Sequence, residues 1–291
     1  SLARKLGRDR VPLEVMEFGW GSWEDDVSVD ASKQQPGVYG AAWMVASWVY
    51  QLRARTSRVF HWGYYFDNGL DPKNEDMTLV TGQGVVMALA ELLVGGSDAS
   101  ASLTTWPSQT NPSANDTLAV ISSAQPNGIG GQGHAGEAVL TAFYADMDLA
   151  SPRRTVNVTV ARPAMHIHTR PTVTQYKLTM SSSVLDLIHR DLYEAEAQTG
   201  DALLNPGYNL SATCCVDELR TMATPTGLAR VKASAHRYVT LSKAALTERP
   251  FDGNITSDAP QGIVLEFQVE APEVRLLLIR WSQAQQTITM N

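Results

Sequence analysis

The chain has 291 residues, of which 44% are hydrophobic and 18% charged, a balance that excludes a disordered chain and allows two domains. Its net charge of -7, with no lysine- or arginine-rich stripe, excludes nucleic acid as the expected partner, because phosphate binding needs clustered basic side chains. No apolar stretch reaches the roughly 18 residues that span a bilayer, so no membrane span is expected.

Ser1 to Arg10 is polar and basic and lacks the apolar run of a signal peptide, so a secreted form is expected to be a mature or cleaved product. Val11 to Trp20, VPLEVMEFGW, is a short apolar run bounded by Pro and Gly, the pattern of a buried parallel strand. It ends in a glutamate, Glu17, which is costly to bury unless it is paired or opens onto a cleft. A polar loop with Trp20, Trp23, Asp25 and Asp26 follows. Val38, Ala41, Ala42, Val45, Val49 and Leu52 then recur at spacings of three and four, which predicts a helix from about Gly37 to Arg55. Ser57 to Tyr64 reads as a second buried strand. Gly82 to Leu93 reads as a second helix, ended by Gly95-Gly96.

Strand, helix, strand, helix is the rhythm of a parallel sheet with outer helices. Beyond Gly96 the rhythm changes to strand-like runs between Gly, Pro, Ser and Asn clusters. They are Thr117 to Ser122, Ala138 to Tyr144, Thr155 to Ala161, Thr172 to Thr179, Ile263 to Val269 and Val274 to Trp281. Alternation in Val-Asn-Val-Thr-Val and Val-Leu-Glu-Phe-Gln-Val fits half-buried antiparallel strands. A helix is expected at Val184 to Gln198. The expected fold class is α/β plus all-β, with an α/β domain at 1–96 and an antiparallel β-sandwich with helical insertions at 97–291.

Four sequons, at Asn115, Asn157, Asn209 and Asn254, favour a glycoprotein of the secretory pathway or extracellular space. The two cysteines are adjacent, Cys214 and Cys215, too few for a zinc site or a disulfide framework; a strained vicinal disulfide and two buried thiols both fit. Gly128 to Gly133 matches a dinucleotide fingerprint by letter, but lacks the strand before and the helix after it that give the pattern meaning. His166 and His168 share a face of an extended segment, yet two ligands do not make a stable metal site. No G-x-S-x-G elbow is present.

Glu-Phe-Gly-Trp after an apolar strand resembles the seventh barrel strand of clan A retaining glycoside hydrolases, and Arg58-Val-Phe-His-Trp resembles the eighth. Glu273-Val-Arg-Leu-Leu-Leu-Ile-Arg-Trp is similar to the last sandwich strand of family 39 within that clan, the β-xylosidase and α-L-iduronidase group; Ile167 to Thr179 is loosely similar to that sandwich too. The resemblance implies that residues 1–96 are the last two βα units of a (β/α)8 barrel, strands seven and eight with their helices. It implies Glu17 as the catalytic nucleophile, Trp62 as the floor of a sugar subsite, and His61 as a contact to a hydroxyl or to Glu17. Trp20 and Tyr64 would extend the aromatic platform, since apolar sugar faces stack on π faces. No cofactor is implied.

Retaining hydrolysis needs a second carboxyl group about 5 Å from the first. The only Asn-Glu pair, Asn74-Glu75, lies in a polar loop with no apolar run before it and is not assigned that role. The acid/base is therefore expected on an N-terminal polypeptide that completes the barrel, which would also cover strand edges that otherwise aggregate. The expected ligand is a carbohydrate. The alternative is a non-catalytic glycan-binding or structural extracellular glycoprotein built on a glycosidase-like fold.

Overall fold

A computed structural model describes residues 13–18, 37–54, 56–61, 66–67, 78–94, 102–106, 118–125, 138–148, 153–163, 169–188, 190–191 and 225–281. In chain order they form β1 (Leu13–Phe18), α1 (Val38–Arg53), β2 (Thr56–His61), β3 (Phe66–Asp67), β4 (Leu79–Val80) and α2 (Gly82–Val94). Then come β5 (Ser102–Trp106), β6 (Leu118–Gln125), β7 (Ala138–Asp146), β8 (Arg153–Ala161) and β9 (Thr172–Thr179). A helical turn at 184–188 precedes α3 (Pro225–Ala233) and α4 (Ala235–Ala244), and β10 (Arg249–Pro250), β11 (Asn254–Ala259), β12 (Gly262–Glu270) and β13 (Glu273–Trp281) follow.

The sheets are a six-stranded one in the order β10-β9-β13-β7-β6-β5, a three-stranded one in the order β11-β12-β8, and two small pairs, β1-β2 and β3-β4. The two larger sheets are antiparallel throughout; β1 and β2 run parallel. The protein is thus a mixture of helices and mainly antiparallel sheet. No closed barrel is formed among the described residues.

β13 explains the layering. Val274, Leu276 and Leu278 join a core with α1, α2, β6 and β7, while Leu277, Ile279 and Trp281 join a second core with the β11-β12-β8 sheet. Successive side chains of a strand point to opposite faces, so a strand covered on both sides must be apolar at nearly every position. That accounts for the run Leu276 to Ile279. β12 is covered on one side only: Ile263, Leu265, Phe267 and Val269 are buried, whereas Gln268 and Glu270 are exposed.

The helices pack on the other face of the large sheet. α1 buries Ala41, Ala42, Met44, Val45, Ala46 and Val49, and its small residues let it lie close to the sheet. Trp48 meets Phe143 of β7 edge-on, with ring centroids 6.4 Å apart. α2 begins where the Thr81 hydroxyl accepts from the Gly84 N–H at 3.1 Å, a side-chain cap for an otherwise unpaired donor. One core therefore joins residues on both sides of position 96.

Most expected elements recur with their ends moved by a few residues. Seven were not anticipated: the two-residue strands β3, β4 and β10, the strands β5 and β11, and the helices α3 and α4. β5 (SLTTW) and β11 (NITSDA) carry little of the apolar alternation by which strands are recognised, and edge positions do not require it. α3 and α4 bury Val231, Ala235, Tyr238 and Val239, a spacing of three and four that the Pro225-Thr-Gly start obscures.

The core also holds a charge. The Arg275 side chain is fully buried, and its guanidinium donates to Glu273 at 2.8 Å, Gln175 at 3.0 Å, Asp252 at 2.6 Å and the Gln268 carbonyl at 3.1 Å. It also lies 4.4 Å from the centre of the Phe267 ring. Burial pushes the Glu273 carboxyl up, and Arg275 and Lys177 work against that shift. Arg275→Ala would leave the buried Glu273 with only the more distant Lys177, so a loss of about 3–5 kcal/mol is expected in urea denaturation. Arg153→Ala, which breaks the exposed pair with Glu270, should cost below about 1 kcal/mol.

Candidate functional site

β1 and β2 lie side by side and run in the same direction, with Val15 opposite Val59 and Phe18 opposite His61. Glu17 therefore stands one residue before the last paired position of β1, on the strand next to the one that His61 ends. Adjacent strands are about 4.8 Å apart, so both C-terminal ends open onto one edge of the pair. α1 passes into β2 across two residues, 54 and 55, so its C-terminus sits at the start of β2. A 16-residue helix and a 6-residue strand have similar lengths, roughly 24 and 20 Å.

Of the expected site residues, the backbone brings Glu17 and His61 together on neighbouring strands. Their side chains, and the whole of Trp20, Trp62 and Tyr64, lie outside the described residues. So do Asn74-Glu75, Cys214-Cys215, His166, His168, the Gly128 to Gly133 segment, Asn115 and Asn209. Asn157 on β8 and Asn254 on β11 are described, and both are exposed. No group of three or more His, Cys, Asp and Glu suited to a metal ion occurs among the described residues. None of the described helices is long and apolar enough to cross a membrane.

Behind β2 an apolar cleft of about 250 Å³ opens between α1, α2, β2 and β6, lined by Trp48, Leu52, Val59, Leu93 and Ile121 among others. Among the described residues its lining includes no ionisable side chain, and these residues offer contact area rather than chemistry.

A perturbed carboxyl lies at the N-terminus of α1, Asp186, which sequence reading did not single out. It is 6% exposed and accepts the Val38 N–H at 2.9 Å, so a residue from the turn at 184–188 caps the N-terminus of α1. Gly37, the residue before the helix, supplies no side-chain cap of its own. A Cβ at Gly37 would fall 2.7 Å from the Asp186 Oδ1, so any other residue there would have to displace the carboxyl. The contact joins positions 148 apart in sequence, and no local pattern announces it. Because the carboxylate is enclosed and already engaged with the helix, it holds α1 in place rather than meeting a substrate.

Burial pushes the Asp186 carboxyl up to about 6, although Ser183 and the Val38 N–H favour its ionised form. Between its ordinary value of 3.8 and about 6, the folded protein keeps a proton that the unfolded chain has released. Its stabilising contribution is complete below the lower value and is lost as pH rises through the upper one, roughly 3 kcal/mol in all. Asp186→Asn retains an acceptor for Val38 and cannot ionise. Urea unfolding from pH 4 to 7 should therefore show the native protein losing roughly 3 kcal/mol relative to this variant; parallel curves would contradict the assignment.

A scan against protein-family models finds no match to this sequence, and a search of curated proteins finds none of significance.

Proposed function

We propose that the chain is the C-terminal part of a clan A retaining glycoside hydrolase, most like family 39, matured in the secretory pathway. In this reading β1-α1-β2-α2 are the last two βα units of a (β/α)8 barrel, and the two larger sheets are the sandwich that follows it. One observation carries the reading: β1 and β2 pair in parallel with Phe18 opposite His61, so the strand bearing Glu17 and the strand leading to Trp62 end at one rim. Active sites of such barrels lie at the C-terminal ends of the strands.

The chemistry follows from that arrangement. The Glu17 carboxylate attacks the anomeric carbon as the glycosidic C–O bond breaks. A carboxylic acid on the N-terminal polypeptide gives its proton to the leaving oxygen, and an ester links the sugar to Glu17. The resulting carboxylate then takes a proton from water, which attacks the same carbon and frees Glu17. The Trp62 indole holds the apolar face of the ring, with Trp20 and Tyr64 extending the platform and His61 bonding a hydroxyl or Glu17.

A partner polypeptide is also favoured by stability. Parallel strands are normally covered on both faces, and an isolated two-stranded sheet is marginal in water. An upstream segment adding strands to this pair would remove that weakness.

The test uses the complete polypeptide, including whatever precedes Ser1. Incubation with activated 2-deoxy-2-fluoro-β-xylosides and α-L-iduronides should trap one sugar on the peptide that contains Glu17. Glu17→Gln should abolish turnover of the corresponding aryl glycosides with an unchanged melting temperature. Undiminished turnover in that variant, or a sugar trapped on another carboxylate, would rule the mechanism out. A complete polypeptide that binds glycans but turns none over would instead favour the non-catalytic, glycan-binding role.

A further inference from the structure

We propose that Asn157 and Asn254 both carry N-linked glycans, side by side on the outer face of the β8-β12-β11 sheet, where the sugars shield its two edge strands. The proposal rests on the secretory reading above, but the pairing comes from the register of the sheet. Asn254 of β11 and Asn157 of β8 are each opposite Glu266 of β12, so the two asparagines flank one residue in a single row across the sheet. Two strand spacings separate them, about 10 Å.

Both sequons have the right presentation. Asn157 and Thr159 are two apart on a strand, so they share a face, and both are exposed. Asn254 and Thr256 are exposed as well, beside an irregularity between Ile255 and Ser257. The residues between the sequon positions, Val158 and Ile255, turn the other way into the core shared with β13. A sugar on either asparagine therefore projects into solvent without disturbing buried packing.

The rest of this face suits a sugar cover. Thr155, Thr159, Ser257 and Gln268 are exposed and polar, Gln268 donates to the Thr155 hydroxyl at 2.7 Å, and the charged side chains of this face include Glu266 between the asparagines and the exposed Arg153–Glu270 pair at one end. Half-buried Val264 lies among them. Such a surface has little to offer an apolar partner. β8 and β11 are the edges of the three-stranded sheet, and open strand edges invite pairing with another chain unless something bulky or charged blocks them. A glycan on each edge strand supplies that block.

The test treats the protein purified from its natural source with peptide N-glycosidase in ¹⁸O-labelled water and maps the converted asparagines by mass spectrometry. Label at both Asn157 and Asn254 is expected. Label at Asn115 or Asn209 with either member of the pair unlabelled overturns this proposal and leaves the secretory reading standing. No label at any of the four overturns both. The double variant Asn157→Gln with Asn254→Gln, made in a eukaryotic secretory host, should keep the melting temperature of the unmutated protein. It should also self-associate in size-exclusion chromatography at concentrations where the glycosylated protein is a single species. A folded variant that stays a single species would overturn the shielding role.

Discussion

Everything in this fold is fitted against a strand that has no solvent face. β13 sends Val274, Leu276 and Leu278 toward the helices and Leu277, Ile279 and Trp281 toward the smaller sheet, and each is buried. A helix layer and a sheet layer are both needed to cover it, since at roughly 25 cal/mol per Å² a bare apolar face is a large penalty. The cost of having no wet face appears at Arg275, whose charge cannot be solvated. The protein answers with Glu273, Asp252, Gln175 and a backbone carbonyl, converging from three further segments. That polar knot ties the 249–253 segment to β9 and β13 through Asp252 and Gln175.

From that strand the packing runs outward toward β2 through α1. α1 lies on the large sheet through the same core that contains Leu276 and Leu278, and it leads directly into β2. Asp186 grips the other end of α1 through the Val38 N–H. A helix held along its length by apolar contact and at its N-terminus by a buried carboxyl gives the chain that enters β2 a fixed starting point. The outer face of the small sheet carries no such duty, and its exposed polar and charged side chains leave it open to modification.

Parts of this were legible in the residues. The spacing of Val38, Ala41, Ala42, Val45 and Val49 announces α1, and the alternation of Ile263, Leu265 and Phe267 announces a one-faced strand. Leu276 to Ile279 declares a strand but not its partners, because a uniformly apolar run has no period from which to read a face. β11 was hidden because its stability comes from pairing with β12, not from apolar side chains of its own. Asp186 was hidden for a different reason: its partner is distant in sequence, and a lone aspartate in the first turn of the helix expected at 184–198 reads as ordinary helix-surface polarity. For the candidate site, the two strands and their polar ends were legible at Glu17 and His61. Their direction and register belong to the three-dimensional pairing.

The functional reading therefore turns on whether β1 and β2 end at one rim. Interstrand nuclear Overhauser contacts between the backbones of residues 13–18 and 56–61, measured on deuterated protein, test this directly. The account predicts contacts that advance together along both strands, linking residue 15 with 59 and 18 with 61. Contacts running in opposite directions, with residue 13 against 61 and 18 against 56, or none between the two segments, would contradict it.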